Sequence, residues 1–281
     1  MPSKAMIIYP KKRFGQSFLA PGSLAENIVA KANFEPSDRI LEVGPGLGAL
    51  TVPLARAVEL VLAIEKDPEL ITPLGDKLRA KGLDNVTIIV ADILRFDLSK
   101  TRPLLGEQIK IISNLPYNIS TPFLLKLLAQ RTIVERAILM FQKEFGERLI
   151  APRGTKSYGI MTLLVRYCAT TEVLLRASKN AFWPIPKVDS ILVELDFRKP
   201  YPGAGQIPFE EFRKVVRAAF AQRRKTIVNS LASSLPGLDK KIILHALEEC
   251  GLSPHQRAET LTMDEFLALT SILSSSKESL P

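Results

Sequence analysis

Cysteine and histidine are nearly absent from this chain of 281 residues, with two of each. Cys168 and Cys250 form no CxxC pair and no Cys/His cluster, so neither a disulfide framework nor a structural zinc site is expected, and a reducing, cytoplasmic setting fits. Long apolar runs are missing too. No stretch approaches the roughly 18 residues a spanning helix needs, and Met1 to Pro10 carries no apolar segment followed by a small-residue cleavage site. Membrane insertion and export are therefore not expected. There is no internal repeat, and the only biased tract is the short Ser-rich tail from Ser271 to Ser279. Acidic residues are in deficit, 29 against 38 Lys and Arg, which leaves a net charge of +9. An excess of that sign favours an anionic partner, nucleic acid before an anionic membrane surface. The remaining composition, 46% hydrophobic and 24% charged, is that of a chain able to bury one large or two smaller cores.

What is present is an alternation of strand and helix. Short apolar runs at 39–43, 60–64, 86–90, 109–112 and 137–141 read as strands, with helical spacing between them over 20–32, 49–57, 68–81 and 122–130. Later strands are predicted at 172–175 and 190–197. This βαβα order implies an α/β fold, a parallel sheet with helices on both faces. The Pro- and Gly-rich stretch Lys199–Gly205 marks a boundary, giving domains 1–199 and 206–281. Beyond it only helices are predicted, at 208–221, 224–234, 238–250 and 263–273.

Three groups of residues stand at the carboxyl ends of these strands, where open α/β sheets bind ligands. The first is the turn Gly44-Pro45-Gly46-Leu47-Gly48, whose glycines let a ligand approach the backbone. The second is a pair of carboxylates, Glu65 after the second strand and Asp92 after the third, suited to a ribose diol and an adenine amine. Gly44, Gly46 and Ala49 also match the dinucleotide pattern, and Glu65 at this distance suits a nicotinamide cofactor equally. The third group argues the other way. Asn114-Leu115-Pro116-Tyr117 combines an amide, a free carbonyl, a stiffened turn and an aromatic face, a set that holds a planar group with an exocyclic amine. A nicotinamide enzyme needs no such loop, and His245 and His255 lie outside the α/β part. No metal-ligand spacing is present. Basic residues concentrate at Lys11, Lys12 and Arg13 and again at Arg223, Arg224 and Lys225, candidate contacts to RNA phosphates.

These motifs resemble those of the S-adenosylmethionine-dependent methyltransferases, and closely those of the small-subunit rRNA adenine dimethyltransferases, relatives of the large-subunit enzymes of macrolide resistance. The resemblance spans nearly the whole chain. It includes Lys12 to Leu19, Glu42 to Gly48, Glu65-Lys66-Asp67, Ala91-Asp92, Asn114 to Ser120 and Phe141 to Glu144, then Trp183 to Ser190 and Phe220 to Thr226. It implies a Rossmann-like methyltransferase sheet with a small all-helical C-terminal domain. It further implies cofactor contacts from Ser17, Leu19, Gly44, Glu65, Asp92 and Asn114, with Gly46 in the same loop. The family has Asn or His where this chain has Ser17, so a side-chain contact there is shorter.

The implied reaction moves methyl groups from S-adenosyl-L-methionine, leaving S-adenosyl-L-homocysteine, to N6 of two adjacent adenines in a 3′-terminal hairpin loop of 16S rRNA. The implied partner is an immature small ribosomal subunit, and the implied state a monomer. Two rivals remain at this level: a large-subunit rRNA adenine methyltransferase, and an RNA-binding assembly factor without catalysis.

Overall fold

The computed structural model describes residues 11, 15–20 and 22–278, with side chains through 275. A short strand β1 (Phe18–Leu19) leads into α1 (Ser23–Ala32), followed by β2 (Arg39–Val43), α2 (Thr51–Ala57), β3 (Leu60–Glu65) and α3 (Ile71–Ala80). Next come β4 (Val86–Val90), α4 (Arg102–Leu105), β5 (Ile109–Asn114), α5 (Ser120–Ala129), β6 (Val134–Gln142) and α6 (Lys143–Leu149). Then follow α7 (Ile160–Cys168), β7 (Thr170–Ala177), β8 (Phe182–Trp183) and β9 (Ser190–Asp196). The C-terminal helices are α8 (Phe209–Phe220), α9 (Ile227–Ser234), α10 (Lys240–Glu249) and α11 (Met263–Glu278).

Seven strands form one sheet in the order β4-β3-β2-β5-β6-β9-β7, and β1 pairs antiparallel with β8. The pairs β2–β3, β2–β5, β3–β4 and β5–β6 are all parallel. Strand order reverses between β2 and β5, so the two chains leaving their carboxyl ends diverge and open a crevice. The apolar runs read as they do because of position in this sheet. Ile40 to Val43 of β2 are all buried, covered on both faces, whereas edge strand β4 is only partly covered. Against β2 lie Ile28, Val29 and Ala32 of α1 with Leu54 of α2, each large aliphatic side chain contributing about 1.5–3 kcal/mol by its burial.

Several boundaries differ from the expected ones. The helix expected over 68–81 opens as a 3₁₀ turn, Pro68–Leu70, capped by the Asp67 carboxylate accepting from the Glu69 N–H. β5 continues through Asn114, paired with Met140, so the amide sits on the strand itself. Helix α7 was not expected. The segment Gln222–Lys225, predicted to open a helix at 224, is a turn, and α9 starts only at Ile227.

Contacts divide the chain into two compact units, residues 1–146 with 172–195, and residues 147–171 with 196–281. The expected division at 199–206 differs from this grouping in where it puts residues 147–171. In the second unit the Tyr167 ring of α7 stacks on Phe212, with centroids 4.9 Å apart, and its hydroxyl donates to the Ala204 carbonyl at 2.7 Å and to that of Ile207. The Tyr158 hydroxyl donates to the Leu261 carbonyl at 3.0 Å. These residues take the C-terminal helices as their core, a partnership that Pro/Gly punctuation does not encode.

Candidate functional site

The crevice at the reversal point is lined by the ends of β2, β3, β4 and β5 and by residues 16–19, around about 990 Å³ of space including its open mouth. Its floor is the glycine turn after β2. Gly44 and Gly46 take φ of +70° and +56°, conformations L side chains rarely adopt, and a Cβ on Gly46 would strike the Phe18 ring at 2.9 Å. The turn is held from α3, where Lys77 Nζ donates to the Leu47 carbonyl at 2.7 Å.

Glu65 closes the end of β3. Its Oε2 accepts from the Gly46 N–H at 3.1 Å and its Oε1 from the Asp67 N–H at 2.8 Å. Burial pushes its carboxyl above the usual range, while these two N–H groups pull the other way. Each oxygen keeps a further lone pair, and Glu65 lines the crevice, so the carboxylate has the capacity for a pair of vicinal hydroxyls. Asp92 accepts from the Leu94 N–H at 3.0 Å and from Lys66 Nζ at 2.8 Å, and the Lys66 ammonium holds its carboxyl below the usual range. The loop after Asp92 is fastened by Lys126 of α5, which donates to the carbonyls of Ile93, at 2.7 Å, and Phe96. Glu42, on β2, is 1% exposed, and its Oε2 has no hydrogen-bond partner among the described residues. Burial pushes that carboxyl up to about 8, with the neighbouring Glu65 charge adding to the shift.

The donor set fits S-adenosyl-L-methionine. It offers an acceptor pair for a ribose diol, an acceptor for a purine amine, a cradle without Cβ atoms and an acidic wall for a cationic ligand. Among the described residues no group of three or more His, Cys, Asp or Glu side chains could hold a metal ion.

Asn114 lies half-buried beside this crevice. Its Nδ2 donates to the Ser17 carbonyl at 3.0 Å, which fixes the amide's orientation, and among the described residues no donor is bound to Oδ1. The Ser17 hydroxyl is taken, donating to the Pro184 carbonyl at 3.0 Å, so Ser17 meets the site chiefly through its backbone. Leu19 is buried at 5% exposure and lines the crevice. After Asn114 the Leu115 side chain is buried, and among the described residues no N–H donates to its carbonyl. Pro116, at φ −56° and ψ 128°, turns the chain into the 3₁₀ turn Tyr117–Ile119. The Tyr117 hydroxyl shares a 2.6 Å hydrogen bond with Ser190 Oγ, and burial raises its pKa, so the phenol stays neutral.

A family model described as ribosomal RNA adenine dimethylase matches residues 9–275. The chain belongs to the ribosomal RNA adenine dimethylase family. It is 40% identical to a ribosomal RNA small subunit methyltransferase A from Desulforapulum autotrophicum, covering 96% of this chain and 94% of that one. Its identity to the protein of the same name from Lactiplantibacillus plantarum is 42%, over 94% and 90% of the two chains. Among solved structures it superposes on a dimethyladenosine transferase from Plasmodium falciparum with a TM-score of 0.76 and 28% identity, covering 93% and 98%. For the 23S rRNA methyltransferase ErmE the TM-score is 0.66 and the identity 26%, covering 92% and 99%. As a member of this family the chain is an S-adenosyl-L-methionine-dependent methyltransferase, which sets aside the nicotinamide reading.

The basic candidates divide. Lys11 Nζ is held by Asp67 at 2.9 Å and Glu69 at 2.8 Å, while its N–H donates to the Gln16 side chain at 2.7 Å. Gln16 Nε2 in turn donates to Asp67 at 3.2 Å, so Lys11 and Gln16 are joined to the start of the 3₁₀ turn after β3. Lys12 and Arg13 lie outside the described residues. Arg223 donates to the carbonyls of Lys156 at 2.8 Å and Tyr158 at 3.1 Å, a brace within the second unit. Arg224 and Lys225 are exposed on the turn between α8 and α9.

Sequence reasoning missed Glu42 as a buried acid facing the crevice, Lys66 as the partner of Asp92, and Phe18 as the ring over Gly46. Lys66 had a signal, its place in the Glu65-Lys66-Asp67 motif. Phe18 lies in the Lys12 to Leu19 motif, but its contact with Gly46, 28 positions away, exists only in the folded chain.

Proposed function

We propose that this protein transfers methyl groups from S-adenosyl-L-methionine to N6 of two adjacent adenines in a 3′-terminal hairpin loop of small-subunit rRNA. The observation that carries this reading is the orientation of Asn114, with Nδ2 spent on Ser17 and Oδ1 left as an acceptor at the mouth of the cofactor crevice. The names of the curated relatives support the small-subunit assignment. We read the partner as an immature small subunit, the location as cytoplasmic and the protein as a monomer. Among the described residues no helix is long and apolar enough to cross a membrane.

The catalytic work assigned to the chain is modest. The bound cofactor supplies a methyl group already activated on a sulfonium. An exocyclic adenine amine is a poor nucleophile because its lone pair is delocalised into the ring. Asn114 Oδ1 and the Leu115 carbonyl each accept one N–H, which draws the nitrogen toward a tetrahedral shape and localises the pair. Pro116 keeps that carbonyl in place, and the neutral Tyr117 ring stacks on the base. Holding the amine in line accounts for much of the remaining acceleration. None of these groups is a base at neutral pH, so the proton shed after transfer leaves to solvent. A once-methylated amine has one N–H left, so the second transfer relies on a single acceptor. The base must leave its stack to enter, which a hairpin loop permits at least cost.

The second reading, methylation of large-subunit rRNA, is favoured only by the likeness to ErmE. Incubating the protein with labelled cofactor and separated immature ribosomal subunits decides between them. Label is expected in small-subunit RNA, at two neighbouring adenines. Label confined to large-subunit RNA would overturn the assignment.

A further inference from the structure

Among the described residues the large apolar side chains left exposed are few, and three of them stand within six positions: Trp183 at 47%, Ile185 at 61% and Val188 at 42%. Exposed apolar groups gathered in this way mark a binding surface more often than chance. The segment that carries them is held at each end. Phe18 and Leu19 pair with Trp183 and Phe182, and the Phe18 and Trp183 rings stack with centroids 6.5 Å apart at 24°. The Pro184 carbonyl accepts from Ser17 Oγ at 3.0 Å, and the Asp189 carbonyl from the Lys143 N–H at 2.9 Å. Ser190 Oγ meets the Tyr117 hydroxyl at 2.6 Å. Pro184 and Pro186 restrict the backbone between these ties.

Both ties lead to the target site. Ser17, which holds Pro184, also accepts from Asn114, and Tyr117, which holds Ser190, is the ring assigned to the target base. Trp183 therefore packs on Phe18, a residue that lines the crevice, with 47% of its own surface exposed. Lys179 and Lys187 are exposed on the same stretch, and the Asp189 carboxylate is occupied by the Lys179 N–H at 2.9 Å. With two ammonium groups against one carboxylate, the stretch carries a net positive charge toward a phosphate chain.

We propose that Trp183 is a stacking platform for an unpaired base next to the target adenine, with Ile185 and Val188 extending the apolar ledge beneath the loop. This rests on the reading that the substrate is RNA. Extracting one base from a loop leaves its neighbour without a stacking partner, and an exposed indole restores one. Tyr117 takes the base that reacts; Trp183 takes the one beside it.

Trp183 is the only tryptophan in the chain, so its emission reports on this position alone. The full-length protein is titrated with a hairpin RNA whose loop carries two adjacent adenines, with the same hairpin made abasic at the flanking loop positions, and with heparin. Binding is followed separately by anisotropy of a label on the RNA stem. The intact hairpin is expected to quench the indole in step with binding. The abasic-flank hairpin should bind about 5- to 160-fold more weakly, the range for one lost stack, and neither it nor heparin should quench. Trp183→Ala should raise KM for RNA by a similar factor, with kcat at saturating RNA retained and Trp183→Phe recovering most of the loss. Methylation and binding with unchanged emission, or equal affinity for the two hairpins, would overturn the platform and leave the RNA reading standing. Emission that changes with protein concentration alone would assign the ledge to a second copy of the chain and also overturn it. Failure to bind or methylate any RNA would remove the functional reading itself, and the platform with it.

Discussion

Glu42 is a carboxyl with no room for its charge. It is fully buried, its Oε2 lacks a partner among the described residues, and burial raises it from an ordinary 4.5 to about 8. A folded-state pKa above the unfolded one means the native chain holds a proton that the unfolded chain has released. Its stabilising contribution is present below about pH 4.5 and fades as pH rises toward 8. Between those values stability should fall by about 1.4 kcal/mol per pH unit from this group. Denaturant melts of Glu42→Gln across that range should show a clearly flatter profile, with a smaller slope remaining from Glu65. An unchanged profile would mean the carboxyl ionises in place. Asn114 belongs to the same scale. Asn114→Ala removes one of the two acceptors for the amine and should lower kcat about a hundredfold or more, the size of effect seen when one oriented polar group is removed from a reacting centre. RNA affinity should change little. Single-turnover transfer measured beside RNA binding separates the two, and normal turnover would remove the amide from the mechanism.

At the scale of elements, the arm that includes β1 is what converts an open sheet edge into an enclosed crevice. Phe18 covers Gly46, Ser17 orients Asn114, and Lys11 with Gln16 ties the arm to Asp67. Lys11→Ala should therefore weaken binding of S-adenosyl-L-methionine several-fold while leaving the salt dependence of RNA binding alone. Calorimetry with the cofactor and a salt titration with RNA check both halves. A loss of salt slope with intact cofactor affinity would return Lys11 to the RNA surface. How far the elements could be read from sequence follows from what formed them. β2, β3 and β5 are buried on both faces, so their apolar runs are continuous and unmistakable. α7 escaped notice because its pattern is completed only by Phe209 and Phe212, more than forty positions on. β1 and β8 are two residues each and have no periodicity to detect.

At the scale of the whole molecule, the surplus of nine positive charges sets a general attraction to RNA, and individual residues spend it differently. Arg224 and Lys225 are exposed, while Arg223 braces residues 156–158. Arg224→Ala and Lys225→Ala should each weaken RNA binding alike for matched and unrelated sequences, and each should reduce the slope of log affinity against log salt by about 1. Arg223→Ala should instead lower the melting temperature, because it leaves two carbonyls without their donor. A salt-slope change in Arg223→Ala with no loss of stability would reverse that division. The expected two-domain split was legible as far as composition allowed. The Pro/Gly linker at 199–205 is a local signal, whereas the allegiance of 147–171 is a matter of which aromatic rings meet.

Order along the chain was enough for the strand–helix alternation, the glycine turn after β2, and the placing of Glu65, Asp92 and Asn114 at strand ends. Each depends on backbone periodicity or on residues adjacent in sequence, and a parallel sheet carries such residues to one edge without further instruction. Three matters required the folded chain. The first is the direction of the Asn114 amide, set by a carbonyl 97 positions away. The second is the protonation of Glu42, set by complete burial. The third is the set of partners that hold Lys11 and Arg223, Asp67 with Glu69 for the one and two backbone carbonyls for the other. All three are decided by long-range partners, and a side chain's hydrogen-bond partner or desolvation exists only once distant segments have met.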